Sequence, residues 1–233
     1  MPDRGTISGR LKALLGELEA QGRLVQKLME RAVESAFEKD RSKAEWVIQQ
    51  DAAVDQADLR IEREAVQLLV DAMNKGEKLD EFQVRLVMIA VKVNNELERN
   101  GDLSAGIAER VEAFIGMKEQ PPAKFRVMAN SVIGMMANTN AALSALDADA
   151  ARLVLASDDA TAMFKDAVLR EIEDGLARGR HTVEYAFALQ SVASALGRMA
   201  DHCTNIAEQV IYVSTGKIVR HLGEKWTAPE TPE

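Results

Sequence analysis

The sequence predicts an all-α fold of two tandem three-helix bundles, and three observations predict it. Hydrophobic residues make up 47% of the 233-residue chain and aromatics only 4%. Ala, Leu, Val, Met, Glu and Arg carry that composition, as in long helices packed by aliphatic contacts. The five prolines stand at positions 2, 121, 122, 229 and 232, so no apolar-periodic segment contains a helix breaker. The chain also repeats itself. Leu97, Arg99, Asp102, Ile107, Ala108, Glu109 and Val111 recur 99 residues on as Leu196, Arg198, Asp201, Ile206, Ala207, Glu208 and Val210. Upstream, Val25, Met29, Asp40, Ala44, Val47 and Asp51 recur 107 residues on as Val132, Met136, Asp147, Ala151, Val154 and Asp158. Two copies of one helical module follow, and the difference between the offsets is a shortened connection in the second copy.

Residues 1–8, with Pro2 and Gly5, read as a mobile lead-in. The first helix then runs to about Glu38, with Leu11, Leu14, Leu18, Val25, Leu28, Met29 and Val33 forming one stripe at three- and four-residue steps. A second helix spans about Asp40 to Met73. It places Val47, Val54, Ile61 and Leu68 at seven-residue steps, and Asn74-Lys75-Gly76 stops it. The third, about Asp80 to Met117, buries Leu86, Ile89, Val93, Leu97, Ile107, Val111 and Phe114. Gly116 to Ala123, with Pro121-Pro122, is the strongest punctuation. The boundary falls there, dividing the chain into a first bundle (1–118) and a second (119–233). Helices over about 122–146, 148–177 and 182–215 complete the second bundle. Past a short apolar piece, Ile218 to Leu222, the tail from Thr227 is expected to be disordered. Long helices joined by short turns bury their stripes only by lying antiparallel, so each half is an up-down-up bundle.

A formal net charge of −8 argues against a nucleic-acid or anionic-membrane partner, since both would repel a broadly acidic surface. No run approaches the ~18–20 apolar residues of a membrane span, and no secretory signal pattern is visible. The single cysteine, Cys203, excludes an internal disulfide framework and suits a reducing compartment; it reads as a packed small residue. Met128, Met135 and Met136 read as gap-filling core.

Carboxylates supply the chemistry. Glu98 and Asp102 lie four apart on one helix face, beside Asn94, and Asp51, Asp55, Asp58 and Glu62 share a face of the second helix. Stacked like charges cost a few tenths of a kcal/mol per pair unless a cation neutralises them. All-oxygen donors suit a hard or borderline ion such as magnesium, manganese, calcium or iron. With 37 acids in 233 residues, chance alone gives about six pairs at spacing four, so spacing is a weak signal. Recurrence strengthens it, because Asp51 and Asp102 return as Asp158 and Asp201 and core packing requires no acid there. His181, His202 and His221 lack a glutamate three residues before, which removes the Glu-x-x-His pairs of di-iron bundle enzymes. His202 reads as a surface or interface residue. No phosphate loop, Ser-His-acid set or cysteine pair appears.

Leu97-Glu98-Arg99-Asn100-Gly101-Asp102 resembles the Leu-Glu-Arg-Ile-Gly-Asp signature of the PhoU family. Asp201 to Glu208, with Val210-Ile211-Tyr212 and Gly216, resembles the ending of that family's second repeat. The frame Asp40, Ala44, Val47, Asp51, Asp55 is similar to its second-helix pattern. The resemblance covers residues 10–218 and implies two three-helix bundles without catalytic activity. It also implies a regulatory adaptor that couples a phosphate ABC transporter ATPase to a phosphate-sensing histidine kinase, repressing the starvation response and uptake when phosphate is plentiful. The implied metal ligands are Asp51, Asp55, Glu98 and Asp102, for a divalent or iron cation (magnesium, manganese, iron or zinc). A degenerate second site retains Asp158 and Asp201. The chain departs from the family at Gly197, where glutamate is expected, at Ala162, where aspartate is expected, and at Gln83-Val84-Arg85, which replaces Asp-Leu-Arg. Stronger cation binding is therefore expected in the first half. A homodimer is expected, cytoplasmic and held peripherally at the inner membrane by its partners. The alternatives are a metal-dependent bundle enzyme and a structural, self-associating helical protein.

Overall fold

A computed structural model describes residues 6–219. Helices α1 (Ile7–Glu38), α2 (Arg41–Lys75), α3 (Glu81–Glu109) and the single turn α4 (Val111–Phe114) form the first bundle. Helices α5 (Ala123–Ala145), α6 (Ala148–Ala156), α7 (Asp158–Ala177) and α8 (Val183–Thr215) form the second. No strand occurs among the described residues. The expected tail from Thr227, part of the 218–222 piece and the first five residues of the lead-in lie outside them. The helix starts earlier than expected, at Ile7, because the Thr6 side chain accepts the Gly9 N–H at 3.2 Å and caps it.

The repeat is visible in the turns. Lys39 and Leu146, 107 residues apart, are the non-glycine residues with positive φ among those described, at 55° and 49°. Each ends a helix in the left-handed region and is followed by an aspartate, Asp40 or Asp147, whose side chain caps the next helix. The aspartate N–H groups close back onto Ser35 O at 3.0 Å and Ala142 O at 2.9 Å. A capping box between Asp80 and Gln83 starts α3, and Thr182 caps α8.

Two expected continuous helices are each divided. At Arg110 and at Ser157 the side chain donates to the carbonyl four residues back, Gly106 O and Leu153 O. The backbone N–H turns instead to the carbonyl three residues back, at 3.1 Å in both cases. The same side-chain contact at Ser104 and Thr139 leaves α3 and α5 unbroken, so the division lies in the backbone's step to a three-residue bond. Neither residue is a proline or glycine, so composition carried no warning.

The bundles lie side by side, α3 against α8 and α1 against α5, and share one continuous core. Aliphatic side chains such as Leu18, Leu28, Ile61, Ile89, Leu97 and Leu196 are fully buried in it, each worth roughly 1.5–3 kcal/mol relative to exposure. Met136 fills the junction, its Sδ 3.8 Å from Cys203 Sγ and 3.9 Å from Asn100 Nδ2, and Met128 and Met135 are buried as expected. The few aromatics bridge the bundles: Phe37 meets Phe125 at 5.4 Å and Phe114 meets Tyr185 edge-on at 5.9 Å. Asn140 of α5 donates to Gly22 O at 3.0 Å and to Gln26 Oε1 at 3.1 Å on α1.

Candidate functional site

The acidic faces of α2 and α3 meet midway along the first bundle. Asp51, Asp55 and Asp102 each bring one carboxylate oxygen within 4.8 Å of the other two. Close approach there depends on Gly101: a Cβ at that position would stand 3.1 Å from Val54 Cγ1 and 3.5 Å from Asp51 Oδ1. Asp51 Oδ1 is buried and has no hydrogen-bond partner among the described residues. Burial first, and then the charges of Asp55, Asp102 and Glu109, raise the Asp51 carboxyl above its ordinary value. An orphaned buried oxygen within a triangle of like charges is the electrostatic signature of a place that gains from a cation, and an all-oxygen donor set fits a hard one.

Glu98 is not part of that triangle. It lies on the same α3 face, is raised by burial and then by Asp102, and has Arg99 Nε at 3.7 Å from its Oε2. Further along α2, Asp58 is tied to Asn94, whose Nδ2 donates to its Oδ1 at 2.6 Å and to its backbone carbonyl at 3.0 Å. Glu62 is exposed. Of the four acids aligned on α2, two reach the triangle and one is held by an asparagine.

In the second half, Asp158 opens α7 and Asp201 lies on α8. Burial, then Asp201 and Asp159, raise Asp158. A third carboxylate is missing from the repeat frame, with Ala162 and Gly197 in place of two acids. Lys165, 107 residues after Asp58, covers the glycine: its Nζ lies 3.1 Å from where a Gly197 Cβ would be. An ammonium group thus stands where the first half carries a carboxylate, and among the described residues this half assembles no carboxylate triangle like the first.

Sequence reasoning missed Glu109, which adds to the field at Asp51, and Lys165, which covers the second half. The Asp58-to-Lys165 exchange was readable from the 107-residue offset. His202 sits at the α3–α8 junction with its Nδ1 2.6 Å from Glu96 Oε2, an interface position, which is one of the two alternatives its sequence left open.

A family model, the PhoU domain, matches residues 18–111 and again 125–210. The chain is 27% identical over 225 residues to the phosphate-specific transport system accessory protein PhoU homolog 1 of Thermotoga maritima, covering 95% of this chain and 94% of that protein. It is 22% identical over 220 residues to the phosphate-specific transport system accessory protein PhoU of Escherichia coli K12, covering 94% and 89%. Among solved structures, the phosphate transport system regulatory protein PhoU from Streptococcus pneumoniae superposes with a TM-score of 0.83 at 25% identity, over 92% of this chain and 99% of that one. PhoU from Pseudomonas aeruginosa superposes with a TM-score of 0.85 at 25% identity, over 91% and 100%. The duplicated domain match falls on the two bundles that the repeat and the helix packing define, and the chain belongs to the PhoU family.

Proposed function

We propose that this chain is a regulatory adaptor of phosphate homeostasis. It couples a phosphate ABC transporter, through its ATPase, to a phosphate-sensing histidine kinase, and represses the starvation response and uptake when phosphate is plentiful. Similarity along nearly the whole chain to phosphate transport accessory proteins carries this reading. The outer surface of α2 supports it. One line along that helix carries Asp51 and Asp55 first, then Leu59 and Glu62, and the exposed apolar residues Val66, Val70 and Met73 further on. Aligned exposed apolar side chains beside charge are the surface of a partner-binding helix. An adaptor shifts its partners only if it binds their two states unequally, so the working quantity is the difference in affinity between active and resting transporter or kinase.

The adaptor works without a catalytic step of its own, as a homodimer at the cytoplasmic face of the inner membrane. No described helix is long and apolar enough to cross a membrane, so its partners hold it there. Asp51, Asp55 and Asp102, with Glu98 beside them, hold a divalent or iron cation. Such an ion supplies neutralisation of like charge and ties α2 to α3. Deleting the gene should derepress a phosphate-starvation reporter in phosphate-rich medium, and continued repression would refute the adaptor reading. Elemental analysis of chelator-free protein should find metal that is lost on Glu98→Ala with Asp102→Ala and kept on Asp201→Ala; loss on Asp201→Ala alone would refute the assignment to the first half.

A further inference from the structure

Because α3 and α8 are repeat partners packed against each other, a residue on one has a counterpart 99 positions away on the other, and a contact across the junction has a mirrored contact. One such contact is filled. Glu96 Oε2 lies 2.6 Å from His202 Nδ1 and accepts from Asn205 Nδ2 at 3.1 Å. The mirrored positions of Glu96, His202 and Asn205 are Ala195, Leu103 and Gly106. Their side chains are too short or too apolar to rebuild that lock. A cleft of about 610 Å³ opens there instead, lined by all three.

Three guanidinium groups line the same cleft: Arg99, Arg110 and Arg198. Arg99 and Arg198 are themselves repeat counterparts, so the duplication brings both copies of one arginine to a single place. In a chain with net charge −8, acids to pair with are abundant, yet these arginines are poorly paired. Among the described residues Arg198 has no ion pair within 4.0 Å, Arg99 has only its neighbour Glu98 at 3.7 Å, and Arg110 donates to the Gly106 carbonyl rather than to a carboxylate. The planar fork of an arginine matches the oxygens of a phosphoryl group. Ser191 and Ser194 add hydroxyl donors.

Asp102 and Glu109 also line the cleft, and they narrow the class of anion. A hydrogen phosphate group carries an O–H that donates to a carboxylate, while sulfate offers acceptors alone and meets only repulsion there. We propose that the cleft between α3 and α8 binds a hydrogen phosphate group, free or at the end of a nucleotide-sized ester, through Arg99, Arg110 and Arg198. The volume lies in the range of small-molecule sites. The cleft shares Asp102 with the carboxylate triangle, but its binding of phosphate does not depend on the adaptor reading, and either stands if the other fails.

Isothermal titration of the full chain in EDTA and low salt, with inorganic phosphate, ATP and sulfate in turn, tests the proposal. Phosphate or ATP binds, and which of them binds distinguishes the free ion from the ester; sulfate binds at least tenfold more weakly. Arg198→Gln weakens binding at least tenfold, and Arg152→Gln, a change outside the cleft, leaves it intact. Ala195→Glu installs the counterpart of Glu96 and abolishes binding while keeping the wild-type helical circular-dichroism spectrum. Binding of neither phosphate ligand, equal affinity for sulfate, or wild-type affinity in a folded Ala195→Glu variant overturns the proposal.

Discussion

Replacing Asp51 by asparagine is expected to raise the melting temperature in chelator and to remove the stabilisation that a cation brings. Carboxylate oxygens of Asp51, Asp55 and Asp102 lie within 4.8 Å of one another. Two unit charges at that distance repel by roughly 3.5 kcal/mol at an effective dielectric of about 20, and by roughly 0.9 kcal/mol in bulk water. Asp55 and Asp102 are exposed, so screening draws each pair that Asp51 makes toward the lower value, about 1 kcal/mol. Asparagine keeps the shape of the side chain, relieves both repulsions and no longer buries an unpartnered charged oxygen. A net gain of about 1–2 kcal/mol follows, which in a chain of this size moves the melting temperature by about 2–8 °C. With a cation in hundredfold excess over its Kd the order reverses, because the wild type gains about 2.7 kcal/mol by linkage and the variant does not. Calorimetry of both proteins in EDTA, and then with manganese, magnesium or iron(II), reads the crossing. If Asp51→Asn melts lower than wild type in EDTA, like-charge repulsion does not govern the triangle. If both proteins gain equally from the cation, the ion binds elsewhere.

The remaining predictions concern pH, packing and the thiol. Because the folded Asp51 carboxyl is raised above its ordinary value of 3.8 by burial and then by its acidic neighbours, the native chain keeps a proton that the unfolded chain has lost. Its contribution is therefore present below pH 3.8 and is lost as pH rises through the folded value. Urea titrations in EDTA from pH 3.5 to 7 should show the wild type losing stability relative to Asp51→Asn across that rise, and parallel curves would contradict the shift. Gly22→Ala places a Cβ 2.3 Å from Asn140 Oδ1, so the α1–α5 clamp must open. The new methyl gains about 0.5–1 kcal/mol of helix propensity, so a net loss of about 0.5–2 kcal/mol in urea unfolding is expected, and a midpoint raised by that propensity gain would show that the clamp contributes nothing. Cys203 is fully buried, and burial pushes its thiol up to about 12. Iodoacetamide at pH 8 should leave the native protein unlabelled and label it in denaturant; labelling of native protein at the rate of a free thiol would contradict the packing.

Much of the fold was legible because its determinants are local. The apolar stripes of Leu11 to Val33 and of Val47 to Leu68 state a helix and its buried face. Asp40, Asp80 and Asp147 state where helices begin, and two constant offsets state that the module is duplicated. The divisions at Arg110 and Ser157 were not legible, since neither residue is a helix breaker and both are common within helices.

For the candidate site, the sequence by itself determined which carboxylates share a face of one helix, because a helical repeat converts spacing into angle. Asp51 with Asp55, and Glu98 with Asp102, follow from that. Only the tertiary structure decided how α2 is rotated and set against α3. That packing brings Asp51, Asp55 and Asp102 into one triangle, leaves Glu98 beside it and ties Asp58 to Asn94. It also merges two sequence repeats into one core and lays Lys165 across Gly197. Finally, it makes one side of the α3–α8 junction a hydrogen-bonded lock at Glu96 and the mirrored side a cleft at Ala195. Spacing along a chain fixes direction within a helix, while the meeting of two helices depends on every side chain packed between them.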